Sequence, residues 1–293
     1  MTIQKILRNC KLSPLDAEIL LSFVLKKTKE YLLAHPEKKL SNLQARKFNS
    51  LLRRRRRGEP IAYIISQKEF YGLDFFVDKN VLIPRPETEM LVEDVINKIF
   101  LLDPRFREDD KLTLIDIGTG SGNIIISIVK NIPAKFRRKI NFYATDVSEK
   151  ALGIAKKNAK KQGVDKYIQF VQSDLLGFFF KKKVAFTANT FIIANLPYVS
   201  PILYRKYQKG LRFEPKSALL SQKNGLGHYI RLLKEIRDIR AERKGFKIRM
   251  LLEISPEQKR ALHKIIKDIL PKAHIAFQKD LAGKWRMANI NFA

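Results

Sequence analysis

From Leu112 to the C-terminus, strand-length apolar runs alternate with stretches of helical periodicity, and a chain that repeats this pattern folds as a parallel sheet covered by helices. The spacing predicts strands at Leu112 to Ile117, Ile140 to Thr145, Tyr167 to Val171, Phe191 to Ala194 and Lys247 to Ile254. Helices fall between them at Ile124 to Lys130, Ser148 to Gln162 and His228 to Arg243. A further helix covers Pro256 to Leu270. The last two strands, Ala273 to Gln278 and Trp285 to Phe292, have no helix between them and are expected as an antiparallel edge pair. The fold class is α/β, a Rossmann-like sheet of seven strands.

The N-terminal region reads differently. Apolar residues such as Ile19, Leu20, Phe23, Val24, Tyr31 and Leu32 recur at helical spacing, and Leu43, Phe48, Leu51 and Leu52 repeat the pattern. Ser13-Pro14 supplies an N-cap and a proline at the first position of one helix that runs to His35-Pro36, and Ser41 caps the next. Arg53 to Arg57 close that helix, where positive charge favours the dipole. Beyond Gly58, Ile61 to Ile65 reads as a β-type segment, and Phe70 to Val77 as a hairpin around Gly72. An apolar-periodic stretch from Met90 to Phe100 follows. The expected division is a helical domain over 1–66, a β-hairpin linker over 67–86 and an α/β domain over 87–293.

In a doubly wound sheet the ligand lies beyond the carboxyl ends of the strands. The first strand runs into Gly118-Thr119-Gly120-Ser121-Gly122, where glycine permits close backbone approach, and Asp116 just before it can accept from a ligand ammonium. Asp146 ends the second strand, where a carboxylate can accept both hydroxyls of a ribose. Asp174 ends the third and can take the exocyclic amine of an adenine, with Leu175 covering the ring. The plainer alternative is that Asp146 and Ser148 only cap the next helix. Three successive strand ends bearing suitable groups favour a cofactor, and S-adenosylmethionine rather than NAD, because no hydride partner is evident.

The fourth strand ends in Asn195-Leu196-Pro197-Tyr198. A carboxamide nitrogen is a poor nucleophile, so methyl transfer to it depends on aim. The Asn195 side-chain oxygen and the Leu196 carbonyl can each accept one N–H of a planar amide, Pro197 fixes the turn and Tyr198 can stack on the plane. Asn195 also adjoins the cofactor. The alternative is an ordinary Asn-x-Pro turn with a core tyrosine.

Charge and cysteine content set further limits. A net charge of +29 suits a polyanion such as RNA or the ribosome, yet basic residues are spread along the whole chain, so compositional bias accounts for it equally. The lone Cys10 and four scattered histidines offer no metal-ligand spacing. With no signal-like N-terminus and no apolar run near a membrane span, a cytoplasmic location and no membrane partner are expected.

The run Gly58-Glu59-Pro60-Ile61-Ala62-Tyr63, then Glu69-Phe70-Tyr71-Gly72, Leu82-Ile83-Pro84-Arg85-Pro86-Glu87-Thr88-Glu89, the glycine turn, Asp146, Gln172-Ser173-Asp174, the Asn195 to Tyr198 segment and Arg212-Phe213-Glu214-Pro215 together resemble the peptide chain release factor glutamine N-methyltransferases. The likeness spans nearly the whole chain. It implies methyl transfer from S-adenosylmethionine to the side-chain amide of the glutamine in the Gly-Gly-Gln motif of release factors, with the helical domain gripping the protein substrate. The family tetrapeptide normally reads Asn-Pro-Pro-Tyr, so Leu196 is a departure that adds an N–H, worth about 1–3 kcal/mol if buried without a partner. Asn-Leu-Pro-Tyr is also similar to the reacting motif of ribosomal RNA adenine N6-methyltransferases, the competing expectation. Those enzymes usually carry their helical domain after the catalytic one, and they lack a counterpart of Pro84 to Glu89.

Overall fold

The computed structural model describes residues 2–10, 12–98, 112–181, 187, 189–242 and 247–292. The chain divides into two compact units, one of Met1–Gln67 with Lys209–Phe213, the other of Lys68–Gln208 with Glu214–Ala293.

The first unit is helical: α1 (Ile3–Asn9), α2 (Pro14–Leu25), α3 (Lys29–Ala34), α4 (Asn42–Arg56) and α5 (Ile61–Ile65). The Ser13 hydroxyl accepts from the Asp16 amide at 3.2 Å, with Pro14 at the first helical position. The single helix expected from Ser13 to His35 is two. Lys26 adopts a left-handed conformation (φ 54°) that ends α2, and Thr28 starts α3 by accepting from the Tyr31 amide at 3.3 Å. Ser41 and Gln44 form a reciprocal capping box on α4. At its other end Arg54 pairs with Glu59, and Arg55 reaches Asp16 at 2.7 Å, so two of the five arginines are tied within the unit. Ile61 to Ile65 is a helical turn, not a β-segment: Pro60 starts it, and its carbonyl accepts from Tyr63 and Ile64. A five-residue apolar run has no periodicity to separate a buried turn of helix from a strand. Ile64 joins Leu20, Leu21, Phe48 and Leu52 in the unit's core.

The second unit opens with a hairpin, β1 (Lys68–Phe70) and β2 (Leu73–Phe75), turned by Tyr71 and Gly72, both at positive φ. Helix α6 (Glu89–Ile96) follows a short 3-10 turn at Pro86–Thr88; the predicted end of that helix at Phe100 lies outside the described residues. Then come β3 (Leu112–Ile117), α7 (Asn123–Asn131), α8 (Ala134–Arg137), β4 (Ile140–Asp146), α9 (Glu149–Gln162), β5 (Ile168–Gln172), α10 (Gly177–Lys181) and β6 (Asn189–Ala194). The remainder is α11 (Pro201–Leu211), whose last three residues belong to the first unit, the kinked α12 (Gln222–Gly225), α13 (Gly227–Glu242), β7 (Lys247–Glu253), α14 (Lys259–Ile269), β8 (His274–Lys279) and β9 (Trp285–Phe292). Arg243, the expected end of α13, is outside the described residues. α11 has no counterpart in the expectations drawn from periodicity.

The sheet is seven-stranded in the order β5-β4-β3-β6-β7-β9-β8, parallel from β5 to β7, with β9 antiparallel to both neighbours. Alternate residues pack on opposite faces: Ile192 and Ala194 join the core under α13 and α14, while Phe191 and Ile193 join the core under α6 and α7. Strand order reverses at β3, between β4 and β6, which is where such a sheet opens a crevice. Among the described residues no helix is long and apolar enough to cross a membrane.

Candidate active site

Register brings the strand tips together. Ile117 pairs with Thr145 on one side and with Ala194 on the other, so the turn after β3, Asp146 and Asn195 leave the sheet side by side. They border a cavity of about 980 Å³, counting its open mouth. Gly118, Thr119, Gly120, Ser121, Asp146, Asp174, Leu175, Asn195, Leu196 and Pro197 all line it. Gly122 and Tyr198 are not among the lining residues.

The turn is held from behind. Gly118, Gly120 and Gly122 all have positive φ. The Thr119 amide donates to the Thr145 carbonyl at 2.8 Å, and the Gly120 amide to Asp146 Oδ2 at 2.9 Å. Gly122 packs against α9: a Cβ there would stand 2.6 Å from Ile126 Cδ1 and 3.2 Å from Ala155 Cβ. Asp116, just before the turn, is not among the lining residues. It is fully buried, accepts from the Thr119 hydroxyl at 2.7 Å, and burial pushes its carboxyl up to about 7. That bond fastens the turn.

Asp146 Oδ1 accepts from the Ser148 amide at 2.9 Å, so each of its oxygens is fixed by one backbone N–H and keeps further lone pairs. Burial raises its carboxyl, and those amides offset part of the rise. Asp174 is more exposed, and Arg231 donates to its Oδ2 at 2.6 Å. Leu175 is buried beside it, at positive φ.

Around Asn195 lies a polar network in which the sequence suggests roles only for Asn195, Leu196 and Tyr198. Asn195 Nδ2 donates to the Thr88 hydroxyl at 3.1 Å, and Thr88 donates to Glu253 Oε2 at 2.6 Å. The Tyr198 hydroxyl donates to Glu253 Oε1 at 3.1 Å, so its ring is tethered toward the end of β7. Burial, then Glu253, push the Tyr198 phenol far above its ordinary value, and it stays protonated. The Tyr229 hydroxyl donates to the Glu253 carbonyl and also lies 3.5 Å from the Leu196 carbonyl. A phenol has one proton and the Glu253 contact is far closer, so the Leu196 carbonyl stays unclaimed by it. The only sequence sign of Glu253 is a carboxylate that closes its strand after the apolar run Met250 to Leu252.

Two motif segments distant in sequence meet at the cavity wall. Glu214, almost fully buried, accepts from the Ile83 amide at 3.2 Å and pairs with Arg85, holding the Leu82 to Arg85 stretch against the site. His228 also lines the cavity, its Nδ1 2.9 Å from the Ser221 hydroxyl; burial and then Arg231 lower its pKa, so it is neutral near pH 7.

Comparison with known proteins settles the family. Residues 2–65 match the model of the PrmC N-terminal domain, and residues 108–194 match a methyltransferase domain. The release factor glutamine methyltransferase of Bacillus cereus is 32% identical over 271 residues, 92% of this chain and 89% of that protein. This chain belongs to the release factor glutamine methyltransferase family. The namesake from Buchnera aphidicola is 37% identical over 219 residues, covering 75% of this chain and 72% of its own. Among solved structures, the human METTL16 catalytic domain in complex with a MAT2A 3′UTR hairpin aligns with a TM-score of 0.52 at 18% identity, over 75% of each chain. That likeness shows the fold alone. As a methyltransferase of this family the chain takes its methyl group from S-adenosylmethionine. The donor set suits that molecule: bare glycine backbone for close approach, two carboxylates for hydroxyls and an amine, and apolar Ile124, Val147, Ala151 and Leu175 for a ring.

Proposed function

We infer that the enzyme methylates the side-chain amide nitrogen of the glutamine in the Gly-Gly-Gln motif of a release factor. The observation that carries this reading is the register of Ile117 with Ala194, which sets the Asn195 carboxamide and the Leu196 carbonyl beside the glycine turn. Two neighbouring acceptors suit the two N–H bonds of a primary carboxamide. S-adenosylmethionine, when bound, supplies an electrophilic methyl carbon. Asn195 Oδ1 and the Leu196 carbonyl aim the substrate nitrogen and favour its pyramidal form, and Pro197 fixes the turn between them. Tyr198 acts as a prop for that turn through Glu253. Orientation of this kind can supply roughly 7 to 11 kcal/mol of an intermolecular barrier. The methylated amide is far more acidic than the neutral one, so its proton can leave to water without a strong base.

In the same reading, Gly118 to Ser121 receive the methionine part of the donor, Asp146 its ribose, Asp174 and Leu175 its adenine, and Gly122 holds the turn. Asp146→Ala removes an acceptor for two hydroxyls, so donor affinity should fall about 10- to 100-fold, as for lost hydrogen bonds to a charged group. Isothermal titration measures it, and unchanged affinity would count against this placement. The helical unit is the substrate-recognition domain in this account, and its basic residues are available to ribosome or RNA contacts.

Leu196 keeps the carbonyl that the clamp needs, while its side chain packs in the core with Leu226 and Tyr229. Leu196→Pro should leave methylation equal or higher, with about 1–2 kcal/mol lost in stability from the vacated core. A severe loss of turnover would mean that the backbone here departs from the family arrangement.

Methylation assays on a purified release factor and on stripped ribosomal RNA test the assignment. Transfer to the release factor alone is expected. The adenine reading is not favoured, because relatives named for glutamine methylation align over 92% of the chain.

A further inference from the structure

An asparagine side chain can present either its oxygen or its amino group to a substrate, and the two ends are nearly the same size. Only the oxygen can accept an N–H. Packing alone therefore cannot choose the useful face, and some group must set the direction of the hydrogen-bond chain that ends on Asn195.

The buried carboxylate at the end of β7 can do this. Glu253 is 2% exposed and Thr88 is 1% exposed, so neither exchanges partners with bulk water. An ionised carboxylate only accepts. With Glu253 ionised, Thr88 gives its single hydroxyl proton to Oε2, at 2.6 Å, and Tyr198 gives its proton to Oε1 at 3.1 Å. With its proton committed, the Thr88 oxygen can only accept from Asn195, and the Nδ2 end lies 3.1 Å away. Burial is the largest influence and holds the Glu253 carboxyl above its ordinary value; the Thr88 and Tyr198 hydroxyls and then Arg286 offset part of that rise.

We propose that Thr88 and Glu253 are positioning residues that fix the orientation of the Asn195 carboxamide, so that Oδ1, not Nδ2, is presented to the substrate. The inference rests on the reading in which Asn195 holds the target amide. In Glu253→Gln an amide replaces the carboxylate and can donate to Thr88, which then donates to Asn195 Oδ1 and turns the amino group toward the substrate. Thr88→Val keeps the shape and deletes the relay. Thr88→Ser keeps the relay and deletes a methyl.

The test is steady-state methylation of a purified release factor by the full-length enzyme and these three variants, with S-adenosylmethionine affinity measured by calorimetry on each. Glu253→Gln and Thr88→Val should lower kcat about 10- to 100-fold with little change in KM, as when an interaction of the transition state alone is lost. Donor affinity should stay within about 3-fold, and Thr88→Ser should match the wild type. Near wild-type kcat in Thr88→Val or Glu253→Gln, or an equal loss in Thr88→Ser, would overturn the relay. So would a loss that appears together with abolished donor binding in both Thr88→Val and Glu253→Gln, since that pattern reports damage to the fold. If the wild type leaves the release factor unmodified, the proposed function itself fails; if the wild type modifies it and Thr88→Val does so equally well, only the positioning role fails.

Discussion

Asn195→Ala is expected to cut methylation of a release factor by about 100- to 1,000-fold, the usual cost of deleting one preorganised hydrogen-bonding group at a reacting centre. The side chain stands at the end of β6, where pairing of Ala194 with Ile117 sets it against the glycine turn. Its amino group is already engaged by Thr88, so its oxygen is the group left to meet a substrate. Alanine leaves the Leu196 carbonyl as the only acceptor of the pair, and a singly held amide can rotate about that bond away from the line of attack. In the proposed placement donor binding rests mainly on the turn after β3 and on Asp146, which keep their own hydrogen bonds to Thr145, Gly120 and Ser148. Turnover should collapse while most donor affinity survives. Single-turnover kinetics with calorimetry separates the two, and loss of neither would mark Asn195 as a structural turn residue.

Gly225→Ala is expected to be the most damaging change among positions without reactive groups. Gly225 has φ +87°, and an added Cβ would lie 2.1 Å from the Tyr198 carbonyl oxygen and 2.5 Å from Gln258 Nε2. Neither neighbour is the loose end of a surface chain. Gln258 Nε2 donates to the Tyr198 carbonyl at 3.0 Å, while Gln258 Oε1 accepts from the Ser255 amide at 3.1 Å in the cap before α14. The intruding methyl would push apart the bond that anchors the far end of the Asn195 to Tyr198 turn. Overpacking costs about 1–3 kcal/mol and a strained backbone adds to it, so a total near 2–5 kcal/mol is expected. Urea denaturation should show a lower midpoint with an unchanged slope, and methylation measured well below the transition should fall as well. An unchanged midpoint and rate would show that the contact relaxes at little cost.

Sequence reading recovered most of the fold because the sheet advertises itself. Each buried strand from Leu112 onward is a short apolar run, and the glycine turn, Asp146, Asp174 and Asn195 all sit at strand ends, where position implies direction. Failures came where a local signal was ambiguous or absent. Ile61 to Ile65 is too short to show a period, and the break at Lys26 requires a left-handed lysine that no composition rule demands. Asp116 sits one residue inside the strand end, fully buried and absent from the residues that line the cavity. Thr88 and Glu214 lie in the motif stretches, but their partners, like those of Gly225 and Glu253, lie more than 20 residues away along the chain and only the folded sheet brings them near. Tyr198 shows both effects, since its place in the segment that closes β6 was legible and its tether to Glu253 was not.

The central claim is that this site holds a glutamine carboxamide edge-on beside the methyl donor. Tandem mass spectrometry of a release factor treated with the enzyme and S-adenosylmethionine tests it most directly. One added methyl on the side-chain nitrogen of the Gly-Gly-Gln glutamine is the predicted result. A methyl on any other residue, or none on the release factor while ribosomal RNA gains methylated adenine, would contradict it.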